Sequence, residues 1–520
     1  MHQRKSQDKA FNDRTSYYRK ESVATMKMTK KKATSAILQR IVPVLLMFFV
    51  AIALIHTQNM SLKNGQLDAD NTKLINSKKR SLAFVSESTP IAIKIPHTRS
   101  KLSKVSNQSM PLPVDYHIVF STTCSAQQDW ESYVLFYHAF KVKQPGNVTR
   151  IASGCTTQEA KALTDFHENV IQKISDRFHL HLTPDYSNIR VNHDDKRPYK
   201  YMNKPFGLRH WLENKLGFAQ GRPLPKAWID DVVILLDPDM ILLKPIMHDF
   251  SKSHVIWVNG TPSEDRMQVR HGNPMAQQDG YLGNVWLEFN FTFITGDPHS
   301  PAYKVNIPTA MKSYNTGPPY LATVKDMWSI AVKWTEMAPL VHDIFPKLFA
   351  EMFGFCSATA HLELPHTMIK SIVVSDTTSK NREGWQFVDA LPLDQTCHPP
   401  ETAELPYILH YCKRYLVGTW FWSKYRLRRN FLSCDVDLLE MPPSNITSML
   451  YHFSPPSARG QPIGTMQHMS AKQSKREVFM VCQIIEKVNE AVEYYKQQQC
   501  DPKIANLSRT YNFYNYPDNH

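Results

Sequence analysis

In Val232-Val-Ile-Leu-Leu-Asp-Pro-Asp-Met-Ile-Leu-Leu-Lys-Pro245, five apolar residues run unbroken into Asp237-Pro-Asp239. A short run with no polar residue on either face predicts a central parallel strand covered on both sides. Pro238 cannot donate to a ladder, so the strand ends there. Two carboxylates two residues apart at that end, Asp237 and Asp239, make a hard-oxygen cation site suited to Mn²⁺ or Mg²⁺. A cation so held neutralises the diphosphate of a nucleotide sugar and acts as a Lewis acid on the departing UDP oxygen. The same tripeptide is also compatible with a solvated turn after a strand. Its place directly after an apolar strand, in a chain of 520 residues, favours the site.

Working outward, His117–Ser121 and Val148–Ala152 read as further strands. Trp130, Tyr133, Val134, Tyr137 and Phe140 recur at helical spacing between them. Asn203-Lys-Pro-Phe206 predicts a helix start with Asn203 as cap and Pro205 in the first turn. Leu208, Trp211, Leu212 and Leu216 are its buried stripe. Val478–Tyr495, with Ile484, Ile485, Val488 and Val492 in register, predicts a helix docked back on the body. The strand–helix–strand rhythm predicts an α/β fold, a mostly parallel central sheet flanked by helices, with ligands at the carboxyl ends of strands.

The formal net charge is +14, and it is unevenly placed. Residues 1–56 carry 11 Lys/Arg against 3 Asp/Glu, residues 57–113 carry 9 against 3, and residues 114–520 carry 41 of each. A nucleic-acid-binding body carries its own basic surface, so the balanced body argues against that class. Ile41–Ile55 contains no charge. Extended to residues 36–56, it is long enough for a transmembrane helix. Lys30, Lys31, Lys32 and Arg40 before it place residues 1–35 in the cytosol. A cleaved signal peptide and a buried core helix are the competing readings, against which stand the long region ahead of the apolar run and the lack of a companion core around it. Residues 57–113 are Ser-, Lys- and Asn-rich and read as a flexible stem. The expected organisation is a cytosolic tail (1–35), signal-anchor (36–56), stem (57–113), lumenal domain (114–500) and tail (501–520). All eight cysteines and all seven N-x-S/T sequons, from Asn59 to Asn506, follow the anchor. Both features suit the oxidising secretory pathway, a Golgi or endoplasmic-reticulum membrane. No C-x-x-C, P-loop, G-x-G-x-x-G, H-E-x-x-H or G-x-S-x-G is present, which weighs against zinc ribbons, sulfotransferases, nucleotide-dependent dehydrogenases, zincins and serine hydrolases.

Asn203–Glu213 followed by Val232–Pro245 resembles the plant and algal peptidyl glycosyltransferases, the hydroxyproline O-arabinosyltransferases and peptidyl serine α-galactosyltransferases. Gly317-Pro-Pro-Tyr320, Lys325-Asp-Met327, Ala350–Phe355, Ile408–Tyr411 and Thr419–Lys424 continue the resemblance over about residues 115–495. It implies a GT-A-like fold, a divalent metal, a UDP-sugar donor and a protein acceptor bearing hydroxyproline or serine. It further implies Asp237, Asp239 and His410 as metal ligands, and retention of anomeric configuration. Asp-Pro-Asp matches neither branch's usual triplet, so donor choice between arabinose and galactose stays open.

Glu351 and Asp326 are catalytic candidates, with a helix-surface carboxylate and a helix N-cap as their plain structural readings. Lys204 and Lys424 are candidates for the phosphate oxygens. For Lys424, Arg426, Arg428 and Arg429 together, a charged surface is the competing reading. Gly317-Pro-Pro319 reads as a rigid loop near the acceptor or an ordinary turn. Cys124 and Cys155 follow the first two strands as a candidate pair. A glycan or lipid acceptor, or a silent membrane-tethered binding protein, are the alternative functions.

Overall fold

The computed structural model describes residues 114–512 apart from 191–197, 280, 381, 428–429, 455–463 and 506. The tail, anchor and stem expected in residues 1–113 lie outside the described residues. Among the described residues no helix is long and apolar enough to cross a membrane.

The principal elements in chain order are β1 (Tyr116–Thr123), α1 (Ala126–Lys141), β2 (Asn147–Ser153), α2 (Thr157–Phe166), β3 (Phe178–Thr183), α3 (Asn203–Lys215), β4 (Val232–Leu236) and β5 (Met240–Leu242). They continue with β6 (Met275–Gln278), β7 (Thr316–Thr323), α4 (Val324–Ile344), α5 (Ala350–His361), β8 (Thr367–Ile369), β9 (Val373–Val374), β10 (Ile408–His410), β11 (Tyr415–Val417), β12 (Trp420–Trp422) and α6 (Ala471–Gln499). Local chemistry sets several boundaries. Thr156 and Glu159 form a reciprocal capping box on α2. Thr323 caps α4 by accepting from the Asp326 N–H, and Ser470 caps α6 by accepting from the Gln473 N–H.

The main sheet runs β3-β2-β1-β4-β7-β6-β8. β1, β2, β3 and β4 are mutually parallel, whereas β7 runs antiparallel to both β4 and β6. The expected α/β architecture is therefore present, with a mixed sheet. β4 is central as expected, but parallel only on its β1 side. Its unbroken apolar run follows from burial on both faces. Val232, Ile234 and Leu236 join the core layer of α1 and α6, and Val233 and Leu235 join the layer of α3, α4 and α5. Each such side chain contributes about 1.5–3 kcal/mol on full burial. A second sheet, β5-β10-β9, starts three residues after β4 ends.

Two local expectations are corrected. Asn203 is already helical, entered through a tight turn over Lys200–Met202, and its Oδ1 accepts from the Tyr186 N–H instead of capping α3. Gly317-Pro-Pro-Tyr320 is neither loop nor turn but part of β7. The register with β6 passes from Tyr320 opposite Ala276 to Gly317 opposite Gln277, so the two prolines, which have no N–H to donate, fall at the irregularity.

Helix α6 lies against α1, β11 and β12 with the predicted Ile484, Ile485, Val488 and Val492 buried. Disulfides Cys397–Cys482 and Cys434–Cys500 tie it down, and Cys124–Cys155 joins the segments after β1 and β2. Cys356 and Cys412 are free thiols. Helices α4 and α5 meet closely at Gly354, where a Cβ would stand 3.0 Å from the Ala338 Cα. Glu351 lies three residues before that approach, in the first turn of α5.

Candidate active site

The parallel strands β1 and β4 deliver their carboxyl ends to one edge of the main sheet, and the chain turns there through Asp237-Pro-Asp239 into β5. β10 pairs antiparallel with β5, placing His410 opposite Met240. Asp237, Asp239 and His410 thereby converge, with one ligand atom from each lying within 4.8 Å of the others. His410 Nε2 is 3.1 Å from Asp239 Oδ1 and 3.9 Å from Asp237 Oδ2.

Lys204, in the first turn of α3, places Nζ 2.8 Å from Asp237 Oδ1 and 3.0 Å from Glu351 Oε1. Lys424, just after β12, places Nζ 2.6 Å from Asp239 Oδ2 and 3.7 Å from Glu131 Oε1. Both lysines are largely buried, so for Lys424 the charged-surface reading does not hold. Arg428 and Arg429 lie outside the described residues. Glu351 is buried, not on a helix surface, and its Oε2 makes no hydrogen bond among the described residues.

Charge balance explains the protonation states. Burial alone would raise the Asp239 carboxyl, but Lys424 and His410 outweigh it and hold the group ionised well below the usual carboxylate range. Burial works against charge on His410, while Cys412 and Asp239 pull its pKa well above the ordinary histidine value. Burial would likewise lower both lysines, yet Asp237 and Glu351 raise Lys204, and Asp239 and Glu131 raise Lys424. Glu351 is raised by burial, against the pull of Lys204.

The donor set fits a divalent cation. Two carboxylates and an imidazole suit Mn²⁺ or Mg²⁺, and a diphosphate would complete the coordination. Buried polar atoms with no hydrogen bond among the described residues gather nearby. The hydroxyls of Tyr320 and Tyr411 are both unpaired, the first in the field of Glu351 and Asp237, the second in that of Glu131 and Asp239. Such groups are costly unless a ligand or water meets them.

Asp326 is not brought to this cluster. Thr323 pairs with Val232, so α4 starts beside the amino end of β4, the opposite edge from Asp237. There Asp326 accepts the Gly272 N–H at 2.7 Å and lies 2.5 Å from His271 Nδ1. Its plain role at a helix start describes it, although the capping group is Thr323.

Near the site, the buried carboxylates Glu131 and Asp279 escaped the sequence reading. Glu131 of α1 is raised to about 7 by burial, offset by Lys424. It follows Trp130 in the first half of the helix, two residues after a second acid, Asp129, and no local pattern sets the two apart. Asp279, just past β6, is raised to about 6 by burial and accepts the N–H groups of Tyr281 and Leu282. It stands at the site edge of the sheet, against Gly317. β6 itself, Met275-Ala-Gln-Gln278, gives no apolar signal.

No family model matches the chain. In sequence it is similar to peptidyl serine alpha-galactosyltransferase of Arabidopsis thaliana, 25% identical over 332 residues, covering 62% of this chain and 33% of the relative. The chain thus spans about a third of the length of the curated relative it matches. The resemblance drawn from the motifs is supported by that relative, which carries the name of one of the two branches. Among solved structures, the apo form of the bifunctional glycosyltransferase WbbM aligns at 9% identity and TM-score 0.29, over 59% of this chain and 47% of that one. The galactosyltransferase LgtC with donor and acceptor sugar analogues aligns at 11% identity and TM-score 0.29, over 57% and 87%. At such scores neither alignment adds to the argument.

Proposed function

We propose that this protein is a metal-dependent, GT-A-like glycosyltransferase that moves galactose or arabinose from a UDP-sugar to serine or hydroxyproline hydroxyls of secretory-pathway proteins, with retention of configuration. The observation that carries the reading is the Asp237–Asp239–His410 cluster at the carboxyl end of β4, flanked by two buried lysines. The serine galactosyltransferase name of the sequence relative supports the peptide acceptor and the galactosyl donor. The three disulfides support a lumenal body, and residues 36–56 are proposed as the signal-anchor of a type II Golgi or endoplasmic-reticulum membrane protein.

Asp237, Asp239 and His410 would hold Mn²⁺ or Mg²⁺, which supplies Lewis acidity at the leaving diphosphate. Lys204 and Lys424 would offer ammonium groups to the charge that builds on the leaving diphosphate. Glu351, with Oε2 unpaired, is the group we assign to a sugar or acceptor hydroxyl. No side-chain nucleophile is assigned. The acceptor hydroxyl attacks on the face from which UDP leaves and passes its proton to the leaving phosphate.

The test is UDP release by the full-length protein with a panel of UDP-sugars and Mn²⁺, with and without serine-rich and hydroxyproline-rich peptides. Peptide-dependent release with UDP-galactose or UDP-arabinose is expected, and Asp239→Asn should reduce it by about 100-fold or more while unfolding stays cooperative. Full activity of that variant would overturn the metal-site assignment. Binding of UDP and Mn²⁺ without peptide-dependent release would move the acceptor to a glycan or lipid.

A further inference from the structure

Each lysine of the cluster has a second carboxylate behind it. Lys204 lies between Asp237 and Glu351, and Lys424 lies between Asp239 and Glu131. Glu131 and Glu351 are each 2% exposed, and they come from separate elements, α1 and α5. A buried carboxylate is costly unless it is paired with a cation or hydrogen-bonded. The other cation near Glu131 is Arg150, which is committed elsewhere: its NH2 is 2.9 Å from Asp129 Oδ1, and its Nε donates to Thr122 Oγ1 at 2.9 Å. Lys424 is therefore the partner of Glu131, and a Gln127 side-chain bond to the Lys424 carbonyl ties α1 to that segment.

A divalent cation held with His410 would draw on the carboxylate charge of Asp237 and Asp239 through the oxygens that face the imidazole, Asp237 Oδ2 and Asp239 Oδ1, and would repel the ammonium groups on the opposite oxygens, Asp237 Oδ1 and Asp239 Oδ2. A lysine with no other partner would swing to solvent. Asp237, Asp239, Glu131 and Glu351 outnumber the two ammonium groups, so each lysine that stays offsets negative charge at the loaded site. Were they to leave, the loaded site would turn negative charge toward an anionic diphosphate. We infer that Glu131 is a positioning residue of the donor site: it retains Lys424 beside Asp239 when a cation is bound, keeping that ammonium available to the phosphate oxygens. Glu351 holds Lys204 in the same way. The inference rests on the nucleotide-sugar reading of the site.

The experiment is a double-mutant cycle on the full-length protein, with UDP affinity measured by calorimetry at saturating Mn²⁺. Glu131→Gln should weaken UDP binding by roughly 10-fold, Lys424→Met by at least as much, and the double variant no more than Lys424→Met alone. Glu131→Asp should recover part of the loss, and its fold is the control should the Gln variant unfold. Unchanged UDP affinity in Glu131→Gln and Glu131→Asp, with only a lower melting temperature, would show a structural role and overturn the inference. Equal weakening with and without Lys424 would overturn it too. Failure of the wild type to bind UDP with Mn²⁺ removes the site reading itself, a result recognisable before any variant is made.

Discussion

Lys204 is the side chain on which the buried charges of one half of the site depend. It is the ammonium group between Asp237 and Glu351, and removing one partner of a buried ionic set costs about 3–5 kcal/mol because the others stay charged and unpaired. Lys204→Met should therefore lower stability by that order in thermal unfolding. Mn²⁺ should raise the melting temperature of the variant more than that of the wild type, since a cation on Asp237 replaces the lost charge. Residue by residue, the site was legible where a motif exposes it: Asp237 and Asp239 by their place after an apolar run, His410 and Glu351 by resemblance, and Lys204 and Lys424 as cations suited to phosphate oxygens. Asp326 came from the same resemblance, but α4 begins at the far end of β4 and carries it away. Glu131 stayed hidden because nothing local separates an acid beneath a neighbouring lysine from one facing water.

Among the elements, α6 shows how a helix predicted from periodicity alone acquires polar work. Glu477 is buried, with Oε1 accepting the Thr377 hydroxyl at 2.6 Å and Oε2 the Leu416 N–H at 2.9 Å. Burial lifts its pKa to about 7, against about 4.5 in the unfolded chain. The folded protein thus keeps a proton that the unfolded chain releases, so this contribution is complete below about pH 4.5 and is lost as pH rises toward about 7. The loss amounts to as much as about 3 kcal/mol. Glu477→Gln should flatten the stability profile across that window in denaturant titrations at successive pH values. Arg476 beside it chelates Asp389 and donates to the carbonyls of Thr377 and Ser379, so α6 holds the segment after β9 through both side chains. Elements with clean periodicity, β1, β2, β4, α3 and α6, were readable. β6 is too polar and β7 too rich in proline, and only their neighbours in the sheet make them strands.

On the scale of the whole body, covalent ties complement a mixed sheet whose strands are distant in sequence. Cys397–Cys482 closes a separation of 85 residues, linking the segment before β10 to α6. Replacing both cysteines by serine should lower the unfolding free energy by about 2–5 kcal/mol in guanidinium titrations without reductant. The fold class and the edge of the sheet that carries the site follow from strand–helix alternation. The reversal of β7 does not, because strand direction depends on pairings that no local pattern encodes.

The three proposed ligands are divided between the two sheets. Asp237 ends the main sheet, whereas the Asp239 carbonyl accepts the Tyr411 N–H at 3.1 Å and so moves with the second sheet and His410. The Asp239–His410 distance is therefore set within the second sheet, while the 3.9 Å from His410 to Asp237 spans the three-residue connection between the sheets. A cation there would clasp the two sheets together, and its affinity would depend on the angle between them. Substitutions far from any ligand, by tilting β10 against β4, would tune metal affinity without touching the site.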